Sequence, residues 1–283
     1  GINSHSGIVS SIPKKKNRLI VDSLNNSYLY DFKIRGINAI GSGNFATFPS
    51  SGLVIQKQLQ SCGSNNGGQA GINSLSSSNV FLNASGYIQH DWIEISQGVD
   101  CACAINRSGE LYCWGKNNAG QLGINSTIDS NVPVKSFNPV GITNIKWKKC
   151  ATHSKNTYAI STDGKMYVTG EGYYGAWGNG QDYLDLDFGD GETTTRLIPV
   201  GYGFTENKSN WKDVKAGNDC ALAIDEDGDI YVWGLLWSYN RGFNEPKKVE
   251  IINDIKQDGS FLKYKEISIG EGYSVLSRQE RLF

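Results

Sequence analysis

Apolar and polar residues alternate with a period of two through much of this chain, in short runs closed by glycine-containing turns. The clearest runs are CACAINRSGELYCWG (101–115), NTYAISTDGKMYVTG (156–170) and CALAIDEDGDIYVWG (220–234), with a shortened copy, SVLSRQERLF, at 274–283. Alternation of this period puts successive side chains on opposite faces of a strand. Ser108-Gly109, Asp163-Gly164 and Asp227-Gly228 supply the turns, because glycine takes positive φ without steric cost. The pattern predicts β-hairpins, and Ser51-Gly52 marks a degenerate earlier copy.

The hairpins belong to a longer repeat. Residues 61–74 (SCGSNNGGQAGINS) and 113–126 (CWGKNNAGQLGINS) are identical at nine of fourteen positions, and GINS occurs again at Gly1 to Ser4. Aromatic residues at Trp92, Trp147, Trp211 and Tyr264 open successive copies at spacings of 55, 64 and 53 residues. A period of about 50–60 residues, holding a hairpin and a Gly-rich connection, predicts one propeller blade per repeat. A lone blade leaves both faces of its sheet wet, so neighbours must stack to bury them. The expected fold is all-β, a β-propeller of four-stranded antiparallel blades forming a single domain over residues 1–283. Its repeats run approximately over 37–91, 92–146, 147–210 and 211–263, with half-repeats at 1–16 and 264–283. That makes about five blades' worth of sequence, either a ring closed by its own ends or a window of a seven-bladed one. Because Gly1 opens the chain, processing or excision from something longer is expected.

Composition agrees with many strands and tight turns: 34 Gly, 14 Tyr and 7 Trp against a single Met in 283 residues. Charge is sparse, at 19%, and the formal net charge is -1. Neither nucleic acid nor membrane insertion is expected of such a surface. The runs Lys14-Lys15-Lys16 and Lys146, Lys148, Lys149 read as solvated faces. Three histidines, and no nucleophile elbow or phosphate loop, point away from an enzyme.

These residues resemble the repeat of the regulator of chromosome condensation family. Gly98, Ala104, Ile105, Gly109, Tyr112, Trp114, Gly115, Asn117, Gly120, Gln121, Leu122 and Gly123 carry its pattern, and Gly217, Ala223, Ile224, Asp227, Gly228, Tyr231, Trp233 and Gly234 carry it again. Departures exist as well: the family's usual His is Cys101, Asn156 and Cys220 here, and Gly-Gln-Leu-Gly is missing after Trp233. The resemblance implies a binding or scaffolding propeller. Pairing Asn106 with Glu110 around the turn places Cys103 opposite Cys113, at the roughly 4.5–5.5 Å Cα separation a disulfide can span. Copies with Cys at both positions resemble a bacterial or viral-like exported branch of the family. Two small buried thiols are the competing reading.

Asp185, Asp187, Asp190 and Glu192 form an acidic cluster in a loop longer than its counterparts. Oxygen ligands at that spacing suit calcium; a solvated acidic insertion is the plainer reading, and no other cofactor is expected. A comparison of repeats singles out a partner surface. Where repeat two has the polar Lys116-Asn117-Asn118-Ala119, repeat three has Tyr173 and Tyr174, and repeat four has Leu235, Leu236, Trp237 and then Tyr239. On the premise that the polar version is wet, large apolar residues there predict a contact surface for other proteins, including subunits of a larger assembly. The functional expectation is a non-enzymatic scaffold in a secreted, virion or cell-surface assembly, leaning to an extracellular or particle-surface location. A small-GTPase exchange factor and a glycan-binding adhesin are the alternatives.

Overall fold

The three full alternating runs, 101–115, 156–170 and 220–234, fold into the predicted hairpins, and their turns show a shared device; residues 279–283 of the shortened copy lie outside the described residues. Asn106 N donates to Glu110 O (3.0 Å), Ser161 N to Lys165 O (2.8 Å) and Asp225 N to Asp229 O (3.0 Å). Gly109, Gly164 and Gly228 sit at φ 74°, 84° and 79°, the left-handed residue that a three-residue hairpin loop requires. The residue opening each turn is short, polar and buried. Its side-chain oxygen accepts the N–H that closes the loop: Glu110 N to Asn106 Oδ1, Lys165 N to Ser161 Oγ and Asp229 N to Asp225 Oδ1.

The computed structural model describes residues 59–84, 91–180, 192–201, 208–236, 241–249, 263–270 and 273–278, plus four two-residue strands near the start. The chain divides into two units, Gly1–Gln56 and Lys57–Phe283. In the first, β1 (Lys33–Ile34) pairs with β4 (Ala46–Thr47), and β2 (Ile37–Asn38) with β3 (Gly41–Ser42), all antiparallel. The half-repeat at 1–16 and the Ser51-Gly52 turn lie outside the described residues.

In the second unit, β5 (Gln60–Gly63) pairs with β6 (Ser78–Asn83). Three four-stranded antiparallel sheets follow, each in simple sequence order. The first comprises β7 (Trp92–Gln97), β8 (Cys101–Asn106), β9 (Leu111–Gly115) and β10 (Ser130–Lys135). The second comprises β11 (Trp147–Thr152), β12 (Asn156–Ser161), β13 (Met166–Glu171) and β14 (Thr193–Pro199). The third comprises β15 (Trp211–Ala216), β16 (Cys220–Asp225), β17 (Ile230–Leu236) and β18 (Arg241–Lys248). A final pair, β19 (Tyr264–Gly270) and β20 (Tyr273–Arg278), begins the next copy. These are the four-stranded antiparallel blades of a propeller.

The core lies between sheets rather than within one. Leu111, Leu122 and Cys113 of the second repeat pack with Trp147, Cys150, Ala159, Tyr167 and Leu197 of the third. Tyr158, Ile160, Met166 and Trp177 of the third pack with Trp211, Val214, Ala221 and Trp233 of the fourth. Every residue of β8, β12 and β13 is buried, because a central strand in a stack has a neighbour on both faces. The opening aromatics are core residues too. Trp92, Trp147 and Trp211 each meet the edge of a tyrosine of the same sheet, Tyr112, Tyr167 and Tyr231, with centroids 5.0–5.4 Å apart. Edge-to-face contact of this kind suits the quadrupoles of the two rings.

Candidate interaction surface

The Gly-rich loop joining the third and fourth strands of a sheet carries the predicted contact surface, and its polar version is not wet. Asn117 and Gln121 are buried, as are their counterparts Asn65 and Gln69. Asn117 Oδ1 accepts from Leu122 N (2.9 Å), while its Nδ2 donates to Ser126 O (2.7 Å) and Ile128 O (3.0 Å). Asn65 repeats the set with Ala70 N, Ser74 O and Ser76 O. Gln121 Oε1 accepts from Ala119 N, and its Nε2 reaches Ser154 O of the next sheet at 3.3 Å. These amides staple the loop shut, so the premise of a solvated sibling is corrected in part: Lys116 and Asn118 reach water, while Asn117 and Ala119 are buried.

The third repeat dispenses with the staples. At the positions of Asn117 and Gln121 stand Gly172 and Ala176, and Trp177 fills the place of Leu122. A Cβ on Gly172 would lie 2.9 Å from the Trp177 ring, whose Nε1 donates to Gly170 O (3.2 Å). The indole thus occupies the volume that an asparagine side chain fills elsewhere. The chain then makes a short 3-10 turn, Tyr173–Gly175, with both tyrosines half-buried and their rings 6.1 Å apart. Tyr174 sits at φ 54°, ψ 24°, a left-handed conformation costing a bulky residue on the order of 1–2 kcal/mol. Such strain concentrates where a side chain must be presented in one direction.

Leu235 and Leu236, expected in the equivalent loop of the fourth repeat, instead extend strand β17. Leu235 pairs with Gly242 and Leu236 with Arg241, so β17 and β18 are longer than their counterparts. Leu235 is half-buried. The tyrosine turn packs against this extended hairpin: Gly175 backs onto the Asn244 backbone, Gly180 N donates to Asn244 O (2.6 Å), and Asn244 Nδ2 donates to Gly180 O (3.0 Å). Phe243, which the sequence reading missed, is exposed on the same hairpin. Its only signal was a lone aromatic in a polar strand. Trp237 and Tyr239 lie outside the described residues, as does the side chain of Leu236. Behind the hairpin, Asp219 O accepts Leu235 N at 2.8 Å. Burial pushes the Asp219 carboxyl above its ordinary range, against the opposing pull of Lys155.

Cys103 and Cys113 stand directly opposite one another on β8 and β9, buried and held as free thiols. Of the acidic cluster, Asp185, Asp187 and Asp190 lie outside the described residues; Glu192 is exposed at the entry to β14, its carbonyl accepting Gly172 N at 2.8 Å. Among the described residues no group of three His, Cys, Asp or Glu side chains is arranged to hold a metal, and no helix is long and apolar enough to cross a membrane.

Comparison with known proteins returns one description repeatedly. The model of the regulator of chromosome condensation (RCC1) repeat matches residues 108–160, and a second model of the same description matches residues 92–121. The human E3 ubiquitin-protein ligase HERC2 is 30% identical over 142 residues, which is 50% of this chain and 3% of HERC2. Yeast RCC1 (Prp20), solved bound to Kap60, superposes with a TM-score of 0.59 at 16% identity, covering 79% of this chain and 50% of that one. Saccharomyces cerevisiae Prp20p, solved in a study of its binding to Gsp1p and histones, gives 0.56 at 17% identity, covering 79% and 52%. The chain spans about half the length of these structures, and at such identities the likeness establishes the propeller fold.

Proposed function

We propose, from the premise that this chain carries repeats of the regulator of chromosome condensation family over residues 92–160, that it is a non-enzymatic scaffold binding other proteins. The observation that carries the reading is the loss of the buried amide staples, with Gly172 and Ala176 in their places, and the setting of Tyr173 and Tyr174 between them on a strained turn. A repeat that only needed closing would keep Asn and Gln at these positions, as the two preceding repeats do. With Leu235 and Phe243 on the adjoining hairpin, the tyrosines form an aromatic-aliphatic patch spanning two repeats, and rigid aromatics are the side chains that dominate protein interfaces. That Prp20p was studied for binding Gsp1p and histones supports a protein partner for a fold of this type. The finer reading is a structural or adhesive role in a secreted, virion or cell-surface assembly. It rests on the Asn, Ser and Gly content and on the facing Cys103 and Cys113.

Cross-linking of the native assembly with a lysine-reactive reagent tests the surface. Lys155, in the turn between β11 and β12, and Lys247 and Lys248, on β18, belong to the two repeats that carry the patch; links from them to another protein chain are expected, and links confined to this chain overturn the proposal. Two further measurements separate the alternatives. Accelerated nucleotide release from a small GTPase would assign the exchange-factor role. Glycan-array binding abolished by Trp237→Ala would assign the adhesin role.

A further inference from the structure

Four thiols, not two, lie in the interior between the first and second four-stranded sheets, and one of them, Cys101, is held by Thr152 and His153. Cys103 and Cys113 belong to the first, Cys150 to the second, and all pack in one buried cluster. The hydrogen-bond pattern defines the first pair. Asn106 N bonds to Glu110 O, and Lys116 N to Asp100 O, so bonded positions recur at every second residue of β8. Cys103 and Cys113 fall between them, at a non-hydrogen-bonded position, where Cα atoms approach to about 4.5 Å and a disulfide can close. Cys103 pairs with Cys113 in register and packs with Cys150 in the same buried cluster, so its thiol has both of the others as neighbours. The other sulfurs are engaged elsewhere: Cys113 Sγ accepts from Ser136 Oγ (3.2 Å), and Cys101 Sγ pairs with Thr152 Oγ1 (3.0 Å) and donates to His153 O (2.9 Å).

We propose that Cys103 is a pivot thiol that forms a disulfide with Cys113 within its own sheet and, when that partner is absent, with Cys150 across two repeats, leaving the third thiol reduced beside the bridge. A small-molecule disulfide such as oxidised glutathione is the oxidant. One cysteine thiolate attacks it and expels a thiol; the second cysteine attacks the mixed disulfide and expels the other. The protein pair loses two protons and two electrons, and the oxidant becomes two thiols. Conversion between the bridges needs no oxidant. The Cys150 thiolate attacks the Cys103 sulfur, the bond to Cys113 breaks, and Cys113 leaves as the thiolate that recovers the proton. Burial holds the Cys103 thiol well above its ordinary range, which starves the closed fold of thiolate. The choice of bridge is therefore made while the two sheets assemble. The inference is independent of the partner surface proposed above.

The test is refolding of the reduced full chain in mixed reduced and oxidised glutathione, followed by alkylation and tryptic mass mapping without reduction. Cleavage after Arg107, Lys116 and Lys149 separates the three cysteines, and fragmentation at Ala102 distinguishes Cys103 from Cys101. The wild type is expected to show Cys103 joined to Cys113, with Cys150 alkylated. Cys113→Ala is expected to move the bridge to Cys150, and Cys103→Ala to leave both remaining thiols alkylated. Full alkylation of all three in the wild type overturns the proposal, and that measurement requires no substitution. A Cys113–Cys150 bridge in Cys103→Ala overturns it as well.

Discussion

Asn117 shows how one buried side chain sets the shape of a whole connection. Its amide supplies one acceptor and two donors, and all are used by backbone groups five to eleven residues away. Removing it leaves the buried Leu122 N–H without an acceptor and takes a donor from each of the Ser126 and Ile128 carbonyls. At about 1 kcal/mol for each bond, Asn117→Ala is expected to cost about 2–3 kcal/mol in denaturant unfolding. A loss below 0.5 kcal/mol, the scale of ordinary surface changes, would show that the loop closes without its staple. Tyr174 presents the opposite case. Its left-handed backbone is a cost that the fold carries, and the buried amides that would make such a turn comfortable are gone.

At the scale of elements, one glycine recurs where the third strand ends. Gly115, Gly170 and Gly234 have φ 104°, 117° and 84°, and each lies under the backbone that begins the second strand. A Cβ there would overlap the carbonyl oxygen of Asp100, Lys155 or Asp219. Those carbonyls sit so close because each accepts the N–H following the glycine: Lys116, Glu171 and Leu235 respectively. Gly170→Ala would collide with backbone, which has no rotamer to yield, and is expected to destabilise by about 3 kcal/mol or more by thermal or denaturant unfolding; a near-neutral result would mean the strand end can slide. Elements of this kind are legible in a sequence because their chemistry is local. Alternation and turn glycines give the hairpins, and the Asn106–Glu110 register follows by counting from Gly109. The Gly-rich loop misled for the same reason. Asn117 and Gln121 look solvent-facing as residue types, and nothing in that says that their partners lie in the backbone of the same connection and of the next sheet. Leu235 and Leu236 read as loop by alignment with Lys116 and Asn117; lacking the Asn and Gln staples, the fourth repeat continues β17 as a strand instead.

Between whole repeats the linkage is again a single recurring contact. Trp114 Nε1 donates to Gln69 O (2.8 Å) and Trp233 Nε1 to Ala176 O (3.1 Å); at the equivalent place Thr169 Oγ1 donates to Gly120 O (2.9 Å). Each sheet thereby holds the Gly-rich loop of the one before. Trp233 is fully buried, and its ring meets Tyr158 of the preceding sheet edge-on at 5.7 Å, while Tyr158 OH donates to the same Ala176 carbonyl at 2.6 Å. Stability in such a stack is a sum of repeats and nearest-neighbour interfaces, so a lesion should be felt on both sides of one interface and fade beyond it. Trp233→Leu removes the indole donor and opens a cavity on the interface. Hydrogen exchange is expected to speed by about tenfold or more, the equivalent of about 1.4 kcal/mol, in β12 and β13 as well as in β16 and β17. No residue of β8 or β9 belongs to the Trp233 cluster, and the protection of these strands should change far less. Equal loss in all three sheets would mean that the repeats open as one cooperative body, and the nearest-neighbour account of this propeller would have to be abandoned.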